Sequence, residues 1–156
     1  MHSSGFMGDI GYAQSNRERY EGFCQALMDA GKTPNPSLCL TTPLGIDSYR
    51  EEIDSFLSSL SRMPDAFVCA SDYVACILMQ LLEKRGLRVP EDVAVSGFDN
   101  NIEDLLAENL TTVQVFNEEL GSRLALQILY RIKYPHTPHE VTYLESKVLY
   151  RASTGD

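Results

Sequence analysis

The sequence has no tryptophan, only three histidines, and 13 Lys and Arg residues against 22 Asp and Glu, a formal net charge of -9. With basic residues this scarce and unclustered, the chain lacks a surface for neutralising phosphates, and it should repel nucleic acid and anionic membrane. No apolar run reaches the length of a membrane span, and Met1-His2-Ser3-Ser4-Gly5 lacks the basic start and apolar core of a secretion signal. A soluble, cytoplasmic protein is expected. Cys24, Cys39, Cys69 and Cys76 each sit inside an apolar pattern and at no metal-ligand spacing. Reduced, buried thiols are therefore expected rather than disulfides or a zinc site. Catalytic signatures are missing too: there is no GxSxG, HExxH or CxxC. His136-x-x-His139 lies in a proline-bearing loop with no third ligand nearby. Gly8-Asp9-Ile10-Gly11 reads as an ordinary strand-to-helix connection, because neither GK[ST] nor a full GxGxxG is present. Neither an enzyme nor a cofactor is expected.

What is present is a repeated strand-helix grammar. A chain of 156 residues is the size of one domain and can bury roughly 70% of its unfolded surface. Gly5 to Gly8 reads as the tail of a strand. Ser15 with Glu18 predicts a capping box, followed by an apolar face of Tyr20, Phe23, Cys24, Leu27 and Met28 that ends at Gly31. Arg17 and Arg19 in the first turns oppose the helix dipole, which calls either for a partner or for solvent. Leu38 to Thr41 predicts a short strand. Ser48 with Glu51 predicts a second capping box, and Tyr49, Ile53, Phe56, Leu57 and Leu60 give the next helix its buried face.

The most informative stretch runs from Pro64 to Asn100. Ala66 to Ala70 is too short and too uniformly apolar for a surface helix, so it predicts a strand buried on both faces. Ser71 can cap the helix that follows, Asp72 suits its positive end, and Gly86 stops it near Arg85. Val93 to Gly97 predicts a second buried strand leading into Phe98, Asp99 and Asn100. Strands joined by one crossover helix run parallel, so Ser71–Asp72 and Asp99–Asn100 should emerge at the same carboxyl edge, where open parallel sheets bind ligands. The fold class expected is α/β, a doubly wound parallel sheet.

Beyond Asn100, residues 101–109 predict one or two helical turns. Leu110 to Val115 reads as β, and Asn117 starts a long helix with Leu120, Leu124, Ile128 and Leu129 on one face that stops before Pro135. Two extended segments, Glu140 to Leu144 and Lys147 to Arg151, close the chain. The cluster Asp99, Asn100, Asn101, Glu103 and Asp104 lacks the alternating ligand spacing of a calcium loop. What remains is an edge offering Arg19, Ser71, Asp72, Asp99, Thr42 and Pro43: hydroxyl, carboxylate and guanidinium groups suited to a small polar ligand. Binding without chemistry fits these residues best.

The blocks SNRERYEGFCQALMDAG, PDAFVCASDYVACILMQLLEKRGLRVPEDVAVSGFDN, LTTVQVFNEELG and the closing YRAST occur together and in order. Together they resemble the LacI/GalR family of bacterial transcription regulators, from Phe6 to Thr154. The resemblance implies the C-terminal part of a type I periplasmic-binding-protein-like effector domain. Residues 1–116 would form the C-terminal subdomain with a crossover strand, 117–139 a helix and loop of a mostly absent N-terminal subdomain, and 140–156 closing strands. It implies a homodimer that senses a sugar-like effector and meets operator DNA through an absent N-terminal domain, with no membrane partner. Arg19 matches the arginine of the RxRxxGF pattern, Asp99 the aspartate of GFDN, and Ser71 and Asp72 the (A/S)(N/S)D position. The sequence departs at Val115–Phe116, where the family usually carries Gln-Pro, so no Gln ligand is supplied there. A transport solute-binding protein shares the fold and is the alternative. A flavodoxin-like enzyme or receiver domain is disfavoured by the missing phosphate loop and the missing acidic cluster after the first strand.

Overall fold

The computed structural model describes residues 3–45, 47–101 and 108–155. Its centre is a parallel sheet in the order β1 (Ser4–Met7), β2 (Ala66–Cys69), β3 (Ala94–Ser96). Single parallel bridges, Met7 to Leu40 and Ser96 to Thr111, extend it at either side. Helices α1 (Gln14–Asp29), α2 (Tyr49–Ser59) and α3 (Asp72–Lys84) make the crossovers. Beyond the sheet, β4 (Thr112–Gln114) pairs antiparallel with β5 (Lys147–Leu149), and α4 (Asn117–Lys133) lies between them in sequence.

The doubly wound reading holds, and adjacent residues of β1 show why. Phe6 and Met7 are both fully buried, yet they belong to different apolar clusters, as alternating strand residues must when both faces are covered. Phe6 packs with Phe23 and Tyr20 of α1, ring centroids 5.7 and 5.2 Å away. Met7 joins the larger cluster with Ile53 and Leu57 of α2 and Val74, Leu78 and Leu81 of α3. Burial of nine of the thirteen residues of α3 makes it the central helix. Deleting the Leu78 side chain to Ala should cost about 2–5 kcal/mol. Among the described residues no helix is long and apolar enough to cross a membrane.

Helix α3 starts and stops as its sequence predicts. Ser71 Oγ accepts from Val74 N at 3.4 Å, and Gly86 takes a left-handed φ of +73° just past the helix. Other boundaries differ. The strand expected at Leu38 to Thr41 is reduced to the Leu40 bridge, because Pro36–Leu38 forms a 3-10 turn capped by the Asn35 side chain on Ser37 N. The Ser15–Glu18 capping box does not form: α1 begins at Gln14 behind Ala13, and Glu18 instead accepts from the Gln14 side chain at 2.7 Å. Ser48 does precede α2, but its hydroxyl pairs with Glu52, not with a capping box at Glu51, and Glu52 also takes Gly45 N at 3.1 Å. Met28 is exposed rather than part of the α1 core face, and Cys24 and Cys39 are half-buried rather than buried, although all four thiols are free. Glu140 to Leu144 carries no strand. The helical turns expected at 101–109 fall largely outside the described residues.

Candidate functional site

The parallel register brings the carboxyl ends of β1, β2 and β3 to one edge. Asp72 N donates to Phe98 O at 2.8 Å, which ties the end of β3 to the start of α3. Arg19 reaches the same edge from the second turn of α1. One guanidinium nitrogen, Nη1, donates to Ala70 O at 2.6 Å, the other, Nη2, meets Asp99 Oδ1 at 3.2 Å, and the plane lies 3.7 Å from the Phe98 ring centroid. These contacts offset the unfavourable position of a cation near a helix start. Asp99 Oδ2 has no donor among the described residues, which leaves an acceptor for a ligand hydroxyl or amine.

Asp99 sits in a sharp kink, with φ of +106° there and +51° at Asn100. Such values are uncommon for residues other than glycine and are held by surrounding contacts. Asp99 N donates to Val113 O at 2.9 Å, and Val115 N donates to Asp99 O at 3.4 Å. Burial pushes the Asp99 carboxyl above its ordinary value; nearby Arg19 opposes that rise and Asp72 adds to it.

The other sequence-predicted residues serve differently. Asp72 is only 1% exposed and its Oδ1 accepts from Thr112 Oγ1 at 2.6 Å, so it ties α3 to β4 as well as standing behind the edge. Ser71 spends its hydroxyl on the α3 cap. Thr42 and Pro43 are exposed in the loop that precedes Leu44, and among the described residues neither bonds Arg19 or Asp99. Glu103 and Asp104 of the acidic cluster fall outside the described residues. His136 and His139 are exposed after α4, and no group of three His, Cys, Asp or Glu residues that could hold a metal occurs among the described residues.

Two features escaped sequence reasoning. Asp9 is 8% exposed, and its carboxylate fastens the loop after β1: Oδ1 accepts from Gly11 N and Tyr12 N at 2.7 and 3.0 Å, and Oδ2 from Leu44 N at 3.3 Å. The Asp-x-Gly order was its signal, an aspartate turning back on backbone N–H groups two and three residues on. The closing segment is the second. Ser153, 2% exposed, donates to Val95 O at 2.6 Å and accepts from Thr111 N at 2.8 Å, so the tail is built into the sheet. An apolar groove of about 460 Å³, within the size range of ligand pockets, runs from Arg19 and Phe98 past Phe23 and Val68 to Val113 and Tyr150.

The fold and the populated carboxyl edge define a periplasmic-binding-protein-like domain, and residues 3–154 match the family described as "Periplasmic binding protein-like domain". The chain belongs to that family, and the proteins it resembles include LacI-type transcription regulators. It is 28% identical over 141 residues to the transcriptional repressor PurR of Photobacterium profundum, covering 90% of this chain and 42% of that protein. To the regulator DegA of Bacillus subtilis it is 34% identical over 117 residues, covering 74% and 34%. The solved complex of the transcriptional regulator CelR with cellobiose superposes with a TM-score of 0.84 at 27% identity, covering 97% of this chain and 46% of that one. The chain spans less than half the length of these relatives.

Proposed function

We propose that the carboxyl edge is one wall of an effector cleft, in a bacterial regulator that senses a small polar, sugar-like metabolite. The observation that carries this reading is the Arg19–Asp99 pair: one carboxylate oxygen is held by the guanidinium, and the other takes no donor among the described residues. Arg19 and Asp99 would contact the effector, with Ser71, Asp72, Thr42 and Pro43 along the same wall. CelR in complex with cellobiose supports a sugar-like ligand.

In this reading residues 1–116 and 140–156 form one subdomain, and 117–139 belong to the facing one, which supplies the second wall. Effector in the cleft binds one subdomain arrangement better than the other, and that differential affinity alters operator binding. Operator DNA is contacted outside the matched segment, since the chain's charge of -9 opposes phosphate contact. The regulator works in the cytoplasm as a homodimer.

A saturation-transfer NMR screen of this chain against millimolar neutral sugars, cellobiose included, tests the reading. A sugar signal that Asp99→Asn and Arg19→Gln each abolish is expected. A signal untouched by both substitutions would place binding elsewhere and overturn it.

A further inference from the structure

We propose that Arg151 is a positioning residue for ligand recognition: its guanidinium joins the two ends of the β3-to-β4 connection and so holds the Asp99–Asn100 kink in shape. The inference rests on the effector reading of that edge. Arg151 Nη2 donates to Asn100 Oδ1 at 2.8 Å, where the connection leaves the edge, and Nη1 donates to Leu110 O at 3.0 Å, where it returns. A planar fork with two separate nitrogens can serve both acceptors at once, and a lysine ammonium cannot reproduce that spacing.

The kink needs such a support. Asp99 at φ +106° lies outside the left-handed helical well, whereas Asn100 at φ +51° lies within it. The backbone of Asp99 is held by β4, through its N–H on Val113 O and its carbonyl under Val115 N. The side-chain oxygen of Asn100 is held by Arg151.

The mount of the fork is rigid. Arg151 N donates to Thr111 Oγ1 at 2.8 Å, and two residues on, buried Ser153 bonds both Val95 O and Thr111 N. The closing segment therefore reaches the ligand edge through one half-buried side chain. Asp99 touches the ligand in this scheme, and Arg151 acts through Asn100 on where Asp99 stands.

The test is 15N relaxation of the chain without ligand. In the wild type, Asp99 and Asn100 should show order parameters near those of rigid backbone, about 0.85, matching Phe67 and Val95. In Arg151→Lys and Arg151→Gln they should fall below about 0.6 while the sheet amides stay unchanged. Asn100→Asp, which keeps an acceptor for the fork, should stay rigid. Asn100→Ala removes that acceptor and leaves the tail intact, so it should reproduce the local loss even if an Arg151 variant fails to fold. Rigid Asp99 and Asn100 amides in folded Arg151→Gln or Asn100→Ala, or mobile ones in the wild type, would overturn the proposal. Millimolar cellobiose should bind Arg151→Lys at least tenfold more weakly than the wild type. Because the relaxation measurement uses no ligand, its failure sinks the clamp, whereas failure of the wild type to bind sugars sinks the effector reading alone.

Discussion

Arg19 and Asp99 stand eighty positions apart in the chain and meet 3.2 Å from each other at the carboxyl edge, with side chains only 20% and 25% exposed. The pair is shielded enough for burial to matter, and burial is the larger influence on Asp99, raising its carboxyl above the ordinary 3.8 despite the neighbouring guanidinium. A raised carboxyl binds its proton more tightly in the folded state. Its contribution to stability is therefore greatest below the ordinary value and is lost as pH rises through the folded one.

Asp99→Asn cannot titrate, so the stability of the wild type relative to this variant should fall as pH rises above the ordinary carboxylate value of 3.8. Urea midpoints of both proteins at several pH values measure the difference. A relative stability that rises with pH would show that attraction to Arg19 outweighs burial.

Gly97 sits where the end of β3 passes α3. A Cβ there would collide with Asp72 Oδ1 and come within 2.9 Å of Leu110 Cδ2 and 3.1 Å of Asp72 Cα. Because backbone is among the obstacles, Gly97→Ala should destabilise by about 1–3 kcal/mol. Thermal unfolding reads this directly, and an unchanged midpoint would mean that the strand end shifts freely.

Thr112→Val keeps the shape of the side chain and removes the hydroxyl that donates to buried Asp72 at 2.6 Å. Leaving a buried acceptor without its donor costs about 1–3 kcal/mol. Thr112→Ser, which retains the hydroxyl, should lose less than half as much. Equal losses in both variants, read by chemical denaturation, would contradict the assignment of the effect to the hydroxyl.

Leu120, Leu124, Ile128 and Leu129 are between 48% and 63% exposed on α4. Exposed apolar surface of this kind marks an interaction face. We expect the isolated chain to self-associate through it, with a sedimentation coefficient that rises with concentration and stops rising in the double variant Leu124→Glu, Ile128→Glu. A concentration-independent monomer in the wild type would contradict this.

The sequence was most legible where short-range chemistry and burial agree. Helix α3 has a capping Ser71, an unbroken apolar stripe and a stopping Gly86, and each behaves as its residue type predicts. The strand at Leu38 to Thr41 failed because Pro36 and the Asn35 cap pull Leu38 into a turn, which a β-favouring run does not reveal. Ser48 failed as a capping box because its hydroxyl has an alternative, Glu52, one residue beyond the expected partner. Within the site, strand order put Ser71–Asp72 and Asp99–Asn100 at one edge, and the fold brings Arg19 to it from α1. The role of Asp72 as a buried tie to Thr112 depends on a partner forty positions on and has no local signature. The same holds for Ser153 and Arg151, whose partners come from β3 and its connection to β4.

The most direct test of the effector wall is an amide chemical-shift titration of 15N-labelled chain with cellobiose up to tens of millimolar. Because the chain spans less than half the length of its relatives, weak binding is predicted, with saturable shifts concentrated at Ser71, Asp99 and Asn100, and no heat at micromolar sugar in calorimetry. Shifts centred away from this edge, or micromolar affinity from this chain alone, would contradict the account.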